Sequence, residues 1–143
     1  MSSFTPLAVV LCEEVRKEDS GQAILVGALN RGPAVNSEST TELRRLAVYI
    51  EAKFTGIELV EFRLSHSDTG EVLLESSFEF SLAKDFGELP DNLDPNKIEV
   101  NSQLVVNKEG VNVPRAGDYV FEYKIDGGDW KFVRTWEFPP VAG

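Results

Sequence analysis

The chain has 143 residues, 42% of them hydrophobic and 27% charged, with 24 Asp and Glu against 14 Lys and Arg and a formal net charge of −10. That length supplies one domain with a real core, and the composition excludes a globally disordered or fibrous chain. The acidic balance disfavours nucleic acid and anionic lipid as partners, since no basic run exceeds two residues, as at Arg44-Arg45.

The N-terminal "PLAVVLC" has the apolar look of a secretion signal but not its flanks. No Lys or Arg precedes it, the run is short, and Leu11 stands before Cys12 where a small residue is expected. No other apolar run approaches the ~20 residues of a membrane helix. Cys12 is the only cysteine, which precludes an intramolecular disulfide and a multi-cysteine zinc site and suits a reducing compartment. The expectation is therefore a cytoplasmic protein.

From there the hydrophobic pattern has period two almost everywhere, the signature of half-buried strands. Residues 7–15 and 23–29 read as a hairpin joined at "KEDSG", with Glu13 and Glu14 marking where its first strand emerges toward water. In "RLAVYIEAKF", Leu46, Val48, Ile50, Ala52 and Phe54 form a core face, and Arg45, Tyr49, Glu51 and Lys53 an outer one. Val60, Phe62 and Leu64 repeat the pattern, "SDTG" supplies a turn with Gly70 in a left-handed conformation, and Val72, Leu74, Phe78 and Phe80 continue beyond it. The segment "KDFGELPDNLDPNK" breaks the period with two prolines and a glycine, as a long connection between sheets does. Ile98, Val100, Leu104 and Val106 then resume a strand.

The last hairpin, "DYVFEYKIDGGDWKFVRTWEF", places Tyr119, Phe121, Tyr123 and Ile125 on one face, and Trp130, Phe132, Arg134, Trp136 and Phe138 on one face of the strand that follows. A two-residue turn at Asp126-Gly127 sets Lys124 opposite Asp129, Glu122 opposite Lys131 and Phe121 opposite Phe132. The alternative loop, Gly127-Gly128, opposes Lys124 to Lys131, so charge favours the first register.

About eight short strands without a convincing helix predict an all-β fold, an antiparallel two-sheet immunoglobulin-like β-sandwich, as a single domain over residues 1–143. The opening "PLAVVLCEEVRKEDSGQAILVGALN" and the closing "PRAGDYVFEYKIDG" resemble a family of small bacterial immunoglobulin-like sandwich domains of unknown function. The resemblance implies the fold over most of the chain and brings no activity or catalytic residue with it. The paired cysteines and core tryptophan of an antibody-type domain are lacking.

Candidate chemistry is sparse. Glu13 and Glu14 beside Cys12 oppose a thiolate, so the cysteine reads as packing. His66, the only histidine, opens "HSDTG" and reads as a solvated turn residue, because His, Ser and Asp along one turn cannot take triad geometry. Asn92, Asp94 and Asn96 have the spacing that opens an EF-hand loop, but Lys97 replaces its glycine and Gln103 its bidentate glutamate. Those residues, like the carboxylates of "DGGD", read as turn stabilisers. No phosphate loop, dinucleotide fingerprint or nucleophile elbow is present. The expectation is a non-enzymatic binding or assembly module, without cofactor, metal or catalytic residue, that engages a protein partner or forms a homo-oligomer, with no nucleic-acid or membrane partner. The alternative is a carbohydrate or small-ligand module in which Trp130 and Trp136 stack on the ligand and Arg134 binds an anionic group.

Overall fold

The structure, a computed structural model, describes residues 3–37, 39–80 and 97–141. Its strands are β1 (Ser3–Cys12), β2 (Glu14–Lys17), β3 (Ala23–Val26), β4 (Thr41–Thr55), β5 (Leu59–His66), β6 (Val72–Glu79), β7 (Val100–Val113), β8 (Gly117–Ile125) and β9 (Lys131–Phe138). They pair antiparallel in two main sheets, ordered β1-β4-β7 and β6-β5-β8-β9, with β2 and β3 as a separate hairpin. The fold is all-β, as the alternation predicts. Most of "KDFGELPDNLDPNK", with Asn92, Asp94 and Asn96, lies outside the described residues.

The two sheets face each other across one apolar core. Leu46, Val48, Ile50, Ala52 and Phe54 are all buried on the inner face of β4, and Val60, Phe62 and Leu64 oppose them from β5. Phe4 joins the layers, its ring centroid 6.0 Å from Phe62 and 4.8 Å from Tyr123. Phe62 stacks on Phe121 at 5.6 Å, and Phe121 meets Trp136 at 5.8 Å. Aromatic contacts in tilted or offset arrangements add about 0.5–1.5 kcal/mol each beyond the area they bury.

The N-terminal hairpin forms at the expected turn but is shorter than expected, pairing Glu14–Lys17 with Ala23–Val26 rather than 7–15 with 23–29, because the first strand is interrupted at Glu13. Its turn is closed by Glu18 N–H donating to Gln22 O and Gly21 N–H to Glu18 O, and Leu29 N–H returns to Leu11 O at 2.8 Å. Before the interruption β1 belongs to another sheet, pairing with β4 from Ser3 to Cys12. The "SDTG" turn also forms, with Gly70 at φ 74 and its N–H donating to His66 O. At the start of β8, the Tyr119 hydroxyl donates to Arg115 O at 2.8 Å, tying the strand to the chain that leads into it.

Irregularities in the ladders overturn several side-chain placements. Val72 is exposed because the β5–β6 register shifts between Leu64 and Ser65, leaving Leu73 as the extra residue and Val72 opposite Ser65. Tyr49 is buried although it alternates with the core residues of β4. It shares the outer face with Ala47 and Cys12, across from Val10 and Val105, where β2 folds against β4 and Glu14 reaches Arg45 at 3.0 Å.

The C-terminal hairpin is the largest correction. Its turn is at Asp126-Gly127, with φ of 48 and 73 and Gly128 N–H donating to Ile125 O, the type I′ geometry. The ladder beyond it does not follow. Tyr123 lies opposite Lys131, Glu122 opposite Phe132, and a bulge then sets Phe121 opposite Arg134. Neither Glu122–Lys131 nor Lys124–Asp129 forms. The charges are satisfied from the other flank instead, Arg63–Glu122 at 3.1 Å and Lys124–Glu61 at 3.5 Å, because β8 lies between β9 and β5 and both neighbours compete for its outward charges.

The bulge divides residues that strict alternation places together, so Trp136 is 1% exposed while Phe132 is 65% exposed. Trp136→Ala is expected to destabilise the protein by about 3–5 kcal/mol, and Phe132→Ala to lie within about 0.5 kcal/mol of wild type. Urea denaturation of the two variants measures the difference; equal losses would restore the unbulged register.

Candidate functional site

Cys12 ends β1 on the sheet face away from the main core and is fully buried there. Burial pushes its thiol from the ordinary 9.0 up to about 11, and the Glu13 carboxylate acts in the same direction against a backbone contact at Glu14 that lowers it. A thiol so held is protonated at neutral pH and is no nucleophile. Tyr49, Tyr119 and Tyr123 are raised as well, each chiefly by burial.

All four groups favour the fold in their protonated form, so their shared contribution is full below about pH 9 and lost as pH rises through the folded-state values. Thermal melts from pH 7 to 11 are expected to show a falling midpoint above pH 9, and Cys12 in the native protein is expected to resist iodoacetamide at pH 7.5. Stoichiometric labelling without denaturant would show the thiol to be accessible.

His66 is not the solvated residue that its turn suggests: it is 5% exposed. The "SDTG" turn folds back so that the N–H groups of Asp68 and Thr69 point at Nδ1, at 3.2 and 3.3 Å, while Nε2 lies 3.2 Å from Ala116 O. Two donors on Nδ1 and a carbonyl on Nε2 select the neutral ring with its hydrogen on Nε2. The ring also meets Tyr119 edge-on at 5.1 Å. Gly117, at φ 133, leaves room for it, because a Cβ there would come within 2.6 Å of Nε2. The histidine therefore fastens the β5–β6 turn to the entry of β8. His66→Ala is expected to cost about 2 kcal/mol through the buried groups it leaves unpaired; chemical denaturation checks this, and an unchanged midpoint would remove the clasp.

The three aromatic-site candidates are not gathered into one platform. Trp130 lies on the outer face of the four-stranded sheet, with the Arg63 guanidinium 4.0 Å and the Lys124 ammonium 4.9 Å from its ring centroid. Trp136 faces the core. Arg134 is exposed at the margin, its guanidinium 4.7 Å from the Trp136 ring centroid and one N–H 3.5 Å from Val9 O, a long and weak bond. Thus Arg134 and Trp136 are joined, and Trp130 belongs to a separate, charge-bracketed cluster. In "DGGD", the Asp126 carboxylate accepts from the backbone N–H of Glu58 and Leu59 at 3.0 and 2.9 Å, a turn-stabilising role. Among the described residues no three His, Cys, Asp or Glu side chains come together as a metal site.

What the sequence reading missed is a groove of about 370 Å³ along one side of the sandwich, between residues 6–9 of β1 and 132–134 of β9, with Tyr123 beneath. Both are edge strands of their sheets. They run in the same direction, since Phe4 meets Tyr123, the partner of Lys131, and Val9 meets Arg134. Elsewhere these edges are covered: Gly32 N–H bonds Glu137 O, Val35 N–H bonds Pro139 O, and Leu29 N–H bonds Leu11 O. Between, Pro6 has no N–H to offer, and bulges after Pro6 and at Val133 break both registers. The two edges therefore do not zip together, and Leu7, 55% exposed, and Phe132 stand at the rim. Pro6 was the available signal, since proline within a strand marks an edge.

Comparison with protein-family models, with curated proteins and with solved structures finds no match for this chain. Among the described residues no helix is long and apolar enough to cross a membrane.

Proposed function

We propose that this chain is a non-enzymatic binding module of immunoglobulin-like type that recognises a protein partner through the side of the sandwich where β1 and β9 run alongside each other. The open groove between these edges carries the reading, because exposed apolar side chains beside edge strands are a recurrent site of protein recognition. The strand order β1-β4-β7 against β6-β5-β8-β9 and the Tyr119 hydroxyl bonded four residues upstream support the immunoglobulin-like reading. A net charge of −10 opposes self-association and favours a different protein as the occupant over a second copy, as it disfavours nucleic acid and anionic membrane. The buried free thiol of Cys12 supports a reducing, cytoplasmic setting. The carbohydrate alternative has less support, with Trp130 and Trp136 on different faces of the sheet.

Paired affinity capture from native cells tests the proposal. Proteins retained by the wild type are expected to be lost with Leu7→Asp and with Phe132→Asp, and kept with Val72→Asp, an exposed apolar position on β6 away from the groove. Retention of the same proteins by all three variants would place the interface elsewhere.

A further inference from the structure

Given a protein-binding role for the β1–β9 side, on which this rests, we infer that the groove takes an extended peptide segment that lays an apolar side chain between Leu7 and Phe132 and sets a carboxylate against Arg134. The walls of the groove are two edge strands, and edge strands recurrently receive a segment in extended conformation. An extended chain, rising ~3.3 Å per residue, lies along residues 6–9 over a length of three or four residues.

Charge limits it further. In a chain of net charge −10 the groove lining holds no carboxylate, and Arg134 is its only charged residue. Among the described residues Arg134, like Arg44, has no carboxylate partner, whereas Arg16, Arg31, Arg45, Arg63 and Arg115 each have one. The Trp136 ring occupies one face of its guanidinium and the weak bond to Val9 O takes one of its five N–H donors. A planar group supported on its face, with its edge still unfilled, suits the two oxygens of a carboxylate.

The test uses the full chain, immobilised, and three pools of acetylated, amidated hexapeptides, in which a fixed central Asp, Asn or Lys is flanked by positions randomised over Val, Leu, Ile and Thr. Mass spectrometry of the retained peptides gives the enrichment, and titration of the best of them gives affinity. The Asp pool is expected to exceed the Asn and Lys pools by about tenfold or more, the scale of a charge-assisted hydrogen bond. Arg134→Gln is expected to abolish the preference for Asp over Asn while leaving the flanking preferences intact. Phe132→Ser is expected to weaken all retained peptides, and Arg63→Gln, on the outer face at Trp130, to change nothing. Near-UV circular dichroism checks that each variant keeps the wild-type fold. Equal retention of the three pools, or a preference for Asp that survives Arg134→Gln, overturns the carboxylate assignment. If no pool is retained while Phe132→Asp still abolishes cellular capture, the peptide inference fails and the binding module stands. Loss of neither by Phe132 variants defeats both.

Discussion

The run of aromatic contacts from Phe4 across the layers to Phe62, and from there along the four-stranded sheet to Phe121 and Trp136, is the constraint on which the rest of the sandwich depends. They link β1 of one sheet to β5, β8 and β9 of the other, so no strand of the series can slide without opening a void beneath its neighbour. Close-packed interiors resist such voids, and a one-residue slip would turn every side chain of a strand to the opposite face. The seam therefore holds β9 at Trp136 and β1 at Phe4, and any irregularity must be absorbed between these fixed points and the turns.

That is where the bulges lie. β9 leaves its turn at Asp126-Gly127 and must deliver Trp136 opposite Tyr119, and the extra residues are taken up at 128–130 and at Val133. β1 makes a similar adjustment after Pro6. Both shifts fall on edge strands, where a bulge breaks only one ladder, and both lie beside the same groove. The feature that prevents the edges from pairing with each other is thus the one that turns Leu7 and Phe132 outward.

Electrostatics follows the same division. On the outer face of the four-stranded sheet, Arg63 with Glu122 and Lys124 with Glu61 bracket Trp130 and neutralise one another around its ring. The chain's acidic excess is spread over the remaining surface, while the groove contains a cation and no carboxylate. A solvated surface repels anions in bulk, yet an unpaired guanidinium beside apolar side chains attracts one at close range, where screening is weaker.

Alternation in the sequence by itself determined the all-β class, the core faces of β4 and β5, the N-terminal hairpin and the turns at Gly70 and Asp126-Gly127, because each depends on side chains and φ preferences within a few residues of one another. Cys12 as packing was legible for the same reason, from two adjacent carboxylates. Only the tertiary structure decided the burial of His66 and Tyr49, the exposure of Phe132 and Val72, the separation of Trp130 from Trp136, and the groove. Each of these turns on a bulge, on a turn folding back, or on which strand flanks another, and those are set by how two sheets close over one aromatic seam rather than by any local run of residues.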